Sequence, residues 1–166
     1  ITTPTLSMLK AIAQSTLMDD VYQEDSTTTD FEKFMANLTG KEDSLLAMSG
    51  TMGNQIALRS LLTHPPHAIL CHHQSHILKS EAGGCSSMSQ AHMQPCVPAN
   101  RQYLTLEDVK RDADTRSNIH IAPTRVISLE NTLAGVITPL EEVRQISAFA
   151  RTNNIKMHLD GARIWE

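Results

Sequence analysis

Thr124-Arg-Val-Ile-Ser-Leu-Glu-Asn-Thr132, Thr138-Pro-Leu-Glu141 and Ile155-Lys-Met-His-Leu-Asp-Gly-Ala-Arg163 follow one another along the chain, and together they decide the fold. The first segment opens with a β-branched apolar run over Thr124–Leu129 that reads as a strand. In the second, Thr138 stands as an N-cap, Pro139 at the first helical position and Glu141 at the third. The helix so started carries Leu140, Val143, Ile146 and Ala150 along one side. The third is a strand over Ile155–Leu159 that runs into Asp160. Strand, helix and strand at this spacing imply a crossover and hence a parallel pair.

Working outward, the same alternation extends toward the N-terminus. Ala68–Cys71 reads as a buried strand, His76–Ala82 as a helix closed by Gly83-Gly84, and Met93–Val97 as a weaker strand. Thr105 and Asp108 cap a helix over about Leu106–Ala113. Upstream, helical periodicity covers Leu6 to Ala13 after Pro4, and Met52–Leu62 before Pro65-Pro66. A further helix has Thr29 and Glu32 as a capping box, an apolar stripe of Phe31, Phe34, Met35 and Leu38, and an end at Gly40. A short apolar run, Ser44–Met48, reads as a strand leading into Ser49-Gly50-Thr51. The expectation is an α/β fold, a three-layer sandwich with a mostly parallel sheet.

Composition narrows the function classes. Of 166 residues, 40% are hydrophobic and 19% charged, with a net charge of −4, which excludes a disordered tail or a collagen-like repeat and leaves nucleic-acid binding without an electrostatic basis. The longest apolar runs fall far short of the ~20 residues of a membrane span, so no membrane association is expected. Cys71, Cys85 and Cys96 are odd in number and lack CxxC spacing, so free thiols in a reducing, cytoplasmic compartment are expected.

In open parallel sheets, ligands bind beyond the carboxyl ends of the strands. Four polar groups fall at such positions. Ser49-Gly50-Thr51-Met52-Gly53-Asn54 can turn and cap a helix, or offer backbone N–H groups and hydroxyls to an anion. With no Walker lysine and no GxGxxG, a monophosphate suits it better than a nucleotide. His72, His73 and His76 are surface or capping histidines, or one of them stacks on an aromatic ligand. No second ligand cluster accompanies them, and no metal is expected. Glu81 either faces the same cavity or is a solvated helix residue. Asp160 is a turn aspartate or holds a proton on a heteroaromatic nitrogen, and Arg163 pairs with it or binds an adjacent oxyanion.

These groups also occur in an order that resembles the low-specificity L-threonine aldolases, pyridoxal-phosphate (PLP) enzymes of the aspartate-aminotransferase-like fold type I and of the beta-eliminating lyase family. The matching motifs are Asp19-Asp-Val-Tyr22 with Glu24-Asp25, Gly40-Lys41-Glu42, Ser49-Gly-Thr-Met-Gly-Asn54 and His76 with Glu81-Ala-Gly-Gly84. Ser128-Leu-Glu-Asn-Thr132 and His158-Leu-Asp-Gly-Ala-Arg-Ile-Trp165 complete the set. The resemblance implies a PLP-dependent transferase-like large domain and cleavage of L-threonine or L-allo-threonine to glycine and an aldehyde. It implies that Gly50 and Thr51 hold the PLP phosphate, His76 stacks on the pyridine ring, Asp160 pairs with the pyridine nitrogen, and Arg163 contacts the ring hydroxyl side or the substrate carboxylate. Glu81 is the candidate for positioning a catalytic water, and Tyr22 for completing the site of a neighbouring subunit in a homodimer or homotetramer.

The family pattern continues past Trp165 to a Schiff-base lysine and a C-terminal small domain. None of Lys10, Lys33, Lys41, Lys79, Lys110 or Lys156 matches that lysine, so residues 1–166 are expected to be the N-terminal segment plus most of the large domain, an incomplete unit. Leu133-Ala134 stands where bacterial members carry histidine, and the Arg-Ser-Asp segment that precedes the position of Thr2 in the family is absent. Two alternatives follow: an amino-acid (alanine) racemase on the same scaffold, and a catalytically silent fragment.

Overall fold

A computed structural model describes residues 3–116 and 118–165, which form two compact units, Ile1–Ala47 and Met48–Glu166.

The first unit holds α1 (Leu6–Ala13) and α2 (Ser26–Thr39). Thr5 and Met8 form a reciprocal cap on α1. α2 begins at Ser26, so Thr29 and Glu32 lie inside it and do not form its capping box. Asp25 is the N-cap instead, accepting from Thr28 N at 2.9 Å, Met18 N at 3.0 Å and the Thr16 hydroxyl at 2.9 Å. Those donors, backbone N–H groups foremost, hold its carboxyl down at about 2. Glu32 accepts from Leu46 N, and Ser44 Oγ donates to Glu32 O. The expected strand at 44–48 does not form: the Ser44 hydroxyl and the Leu46 N–H bond to Glu32 of α2 instead of to a neighbouring strand. The helix ends as expected at Gly40, whose φ of 64° is the left-handed turn that glycine adopts without strain. Tyr22 lies in a 3₁₀ turn at Asp20–Tyr22 and is exposed.

The second unit is built on a sheet. In chain order it contains α3 (Gly50–Leu61), β1 (Ala68–His72), α4 (His76–Lys79), α5 (Gly84–Ser89), β2 (His92–Cys96), α6 (Leu106–Asp112), β3 (Thr124–Glu130), α7 (Leu140–Thr152) and β4 (Lys156–Asp160). The strands run in the order β2-β1-β3-β4, and every pairing is parallel. Alternate side chains feed two cores. Leu70, Ile127 and Leu129 pack with Val109 of α6 and Ile146 and Ala150 of α7 on one face. Ile69, Cys71 and Val126 pack with Leu58 and Leu62 of the α3 region and Cys85 of α5 on the other. The three-layer α/β sandwich with a parallel sheet is therefore observed.

Three local expectations are corrected. α3 begins two residues before Met52, because Ser49 already caps it through its hydroxyl to Met52 N. α7 begins at Leu140, with Pro139 in the cap position and no side-chain cap bond. The helix at His76 stops at Lys79; positive φ at Ala82 (51°) and Gly83 (71°) turns the chain, and the unanticipated α5 follows. Cys71, Cys85 and Cys96 are buried and free, and burial pushes the Cys71 thiol up to about 11.

Candidate active site

The parallel arrangement brings the carboxyl ends of β1, β3 and β4 to one edge, and the register pairs Glu130 directly with Asp160. The turn after β1 delivers His76, whose backbone N–H donates to Glu130 Oε2 at 2.7 Å. Because the chain breaks helical geometry after Lys79, Glu81 turns inward, and its side chain is fully buried. It is not a solvated helix residue.

A buried carboxylate needs donors, and Glu81 has three. Its Oε1 takes Asn54 Nδ2 at 2.8 Å and lies 2.9 Å from His76 Nδ1; its Oε2 takes Gln55 Nε2. Asn54 spends its second amide hydrogen on Asp160 Oδ2 at 2.8 Å, so one side chain of α3 joins the two carboxylates. Asp160 Oδ1 accepts from Ala162 N at 3.2 Å, and its backbone carbonyl accepts from Asn131 N. His76, Glu81 and Asp160 thus place ligating atoms within 4.8 Å of one another. They meet as donors and acceptors of one hydrogen-bond net, and a cation there would have to displace the Asn54 amide hydrogens.

Electrostatics follow the geometry. The hydrogen bond to Glu81 raises the His76 pKa above the usual histidine value. Burial raises Glu130 and lowers His158, whose Nδ1 lies 2.8 Å from Ser128 Oγ. His72 is buried beside His73, with ring centroids 4.4 Å apart, and burial pushes it down to about 4. His72 therefore closes β1 in the packed interior, and His73 opens the turn after it. His76 differs: its side chain keeps 46% of its surface open.

The remaining expected residues sit close in sequence to this net. Gly50 and Thr51 form the first turn of α3, where backbone N–H groups lack intrahelical acceptors. A Cβ at Gly50 would meet nothing within 4 Å, so a side chain has room at this position. Only Ser49 stands ahead of this helix, as its cap, and among the described residues no strand leads into it. Arg163 is exposed in the turn after β4; its N–H reaches Asn131 O and its Nη1 reaches Ala162 O. Asn54 and Gln55 are the residues that sequence reasoning passed over. The available signal was two adjacent amides on the second turn of a helix whose later turns are apolar.

The sequence matches the profile of the beta-eliminating lyase family over residues 1–166. The chain belongs to the beta-eliminating lyase family. Within it, the chain is 50% identical over 167 residues to the low-specificity L-threonine aldolase of Candida albicans, covering 99% of this chain and 45% of that protein. It is 43% identical over 166 residues to an alanine racemase of Cochliobolus carbonum, covering all of this chain and 43% of the relative. The threonine aldolase structure of Leishmania major superposes with a TM-score of 0.77 at 22% identity, over 94% of this chain and 45% of that one, which establishes the shared fold. The chain thus spans a little under half the length of the family relatives it matches.

Proposed function

We propose that the protein to which this chain belongs is a PLP-dependent aldolase that cleaves L-threonine or L-allo-threonine to glycine and acetaldehyde. The observation that carries this reading is the net His76–Glu81–Asn54–Asp160 at the carboxyl edge of a parallel sheet, beside the open first turn of α3. The donor set suits the cofactor. Gly50 and Thr51 would offer N–H groups and the dipole of α3 to its phosphate. Asp160, with Asn54 and Ala162 already donating to it, is an acceptor-only group that would keep a proton on the pyridine nitrogen. The half-open ring of His76 would lie against the heterocycle, and Arg163 would meet an oxyanion. Bound there, PLP would supply an electron sink for the carbon whose bond is broken.

The protein's own part is proton handling. With Nδ1 engaged by Glu81, His76 presents Nε2 outward as the group that accepts or returns a proton, directly or through a water, at the substrate hydroxyl. Glu81 stabilises the charged imidazole as Asn54 and Gln55 stabilise Glu81. The reading carries with it a cytoplasmic homodimer or homotetramer, with Tyr22 contributing to a neighbouring subunit's site; three buried free thiols support a reducing compartment.

The test is threonine-dependent release of acetaldehyde by the full-length protein with PLP. No aldehyde from any β-hydroxy amino acid would sink the proposal. The similarity to an alanine racemase favours one second reading, in which the same residues serve proton exchange at Cα. Formation of D-alanine from L-alanine without aldehyde would select it. For residues 1–166 alone, PLP absorbance that resists dialysis would count against the silent-fragment reading.

A further inference from the structure

Glu81 shares Oε1 between His76 and Asn54, whereas Oε2 is engaged by Gln55 Nε2. Gln55 is itself buried, and it reaches Glu81 through a slot between α3 and α5. The slot exists because residue 84 is glycine. A Cβ there would lie 2.7 Å from Gln55 Cδ, 2.8 Å from its Oε1 and 2.9 Å from its Nε2, so the end of the Gln55 side chain would have to move away. The backbone at Gly84 is not left-handed, so conformational freedom does not demand glycine at this position. Space for the Gln55 amide does.

We infer that Gln55, seated in the gap at Gly84, is a positioning residue that fixes the Glu81 carboxylate so that Oε1 faces His76 Nδ1. Without Gln55 the carboxylate turns about its terminal bond, and the hydrogen bond that sets the tautomer and basicity of His76 is no longer held. This rests on the reading of His76–Glu81 as the proton-handling pair, and it adds the two residues, one on each helix, that aim it. The charged groups that act on His76 are Glu81, Glu130 of β3 and Asp160 of β4, and Gln55 Nε2 also reaches Cys85 Sγ at 3.7 Å.

The experiment uses full-length holoenzyme and follows deuterium exchange at the C2 position of His76 against pH by peptide mass spectrometry. The midpoint of that curve reports the proton affinity of this one histidine whether or not the enzyme turns over. In Glu81→Gln the midpoint falls, because the carboxylate that raised it is gone. In Gln55→Ala and in Gly84→Ala it falls in the same direction, and kcat drops at least tenfold with KM changed less than about threefold. Combining Gly84→Ala with Gln55→Ala costs nothing beyond Gln55→Ala alone, because the smaller side chain no longer fills the slot. Should Gly84→Ala not fold, Gln55→Ala carries the test through the same midpoint. An unchanged or raised midpoint in Gln55→Ala, with Glu81→Gln lowered, overturns this inference alone. An unchanged midpoint in Glu81→Gln overturns the pair itself. Additive losses in the double variant mark Gly84 as ordinary packing and overturn the slot.

Discussion

Replacing Glu81 by glutamine removes the charge at the centre of the net and keeps the shape. The three N–H donors would then converge on an amide, with one oxygen too few. The structure contains the remedy: Gln55 Oε1 is buried without a hydrogen-bond partner. Rotation of the Gln55 amide by half a turn puts that oxygen against the new amide N–H, while Asn54 and His76 keep donating to the retained oxygen. Three charge-assisted bonds become neutral ones, each weaker by about 1 kcal/mol. Against this, the several kcal/mol spent on keeping a carboxylate dry are recovered. The expected change in unfolding free energy is therefore small, about 0–1 kcal/mol. Glu81→Leu, by contrast, strands three donors at about 1–3 kcal/mol each. Activity should separate from stability: without the carboxylate His76 loses proton affinity, and kcat falls by roughly a hundredfold. Urea unfolding and threonine-dependent aldehyde release of the full-length variants give both numbers. If Glu81→Gln is as unstable as Glu81→Leu, Gln55 does not reorient; if kcat stays within threefold of wild type, Glu81 has no part in proton handling.

Asp160→Asn should cost far more than Arg163→Lys in the full-length enzyme with PLP saturating: loss of a ~3-unit shift at the pyridine nitrogen is about 4 kcal/mol, or roughly a thousandfold in kcat, whereas the lysine keeps its charge and mainly raises KM. Gly50→Asp should fold normally, since its Cβ has room and an acid suits a helix start, yet raise the PLP dissociation constant at least tenfold in a spectral titration. His72 binds protons less well folded, at about 4, than unfolded, at about 6.5, so protonation favours the unfolded chain and stability falls as pH drops through that window. His72→Asn retains an acceptor for Gln74 N and should flatten this loss by about 2 kcal/mol at pH 5, measured by urea unfolding at pH 7 and 5.

The parallel sheet was legible because β1 and β3 are short apolar runs followed by polar turns, the mark of strands covered on both faces. Strand order was not, since β1 must skip to β3 and local pattern says nothing of which neighbour it takes. The capping box at Thr29 and Glu32 looked sound locally. It lost to Asp25, whose carboxylate gains Thr16 and Met18 as partners from outside the helix. α5 was invisible: six residues, three of them serine, carry no apolar stripe, and Cys85 becomes core only through its packing against α3. At the site, His76, Glu81 and Asp160 stood out as titratable groups near strand ends. Asn54 and Gln55 did not, because an amide on a helix reads as solvent-facing until a neighbouring element buries it.

That burial explains how one helix organises the site. The successive turns of α3 do different work. Its first turn, Gly50 and Thr51, leaves N–H groups free for an anion. Its second, Asn54 and Gln55, supplies amide donors to Glu81 and Asp160. Its last, with Leu58 and Leu62 beyond it, is fixed in the core. The spacing of four from Gly50 to Asn54, and from Asn54 to Leu58, keeps all three on one face. A shift of α3 along its axis would therefore move the proposed anion-binding turn and the carboxylate-holding turn together. The first turn proposed to hold the phosphate, the Asp160 carboxylate and the His76–Glu81 pair then share one spacing, set by where Leu58 and Leu62 pack. Cavity-forming changes at Leu58 should accordingly weaken PLP binding and slow turnover together, although no atom of Leu58 reaches the site.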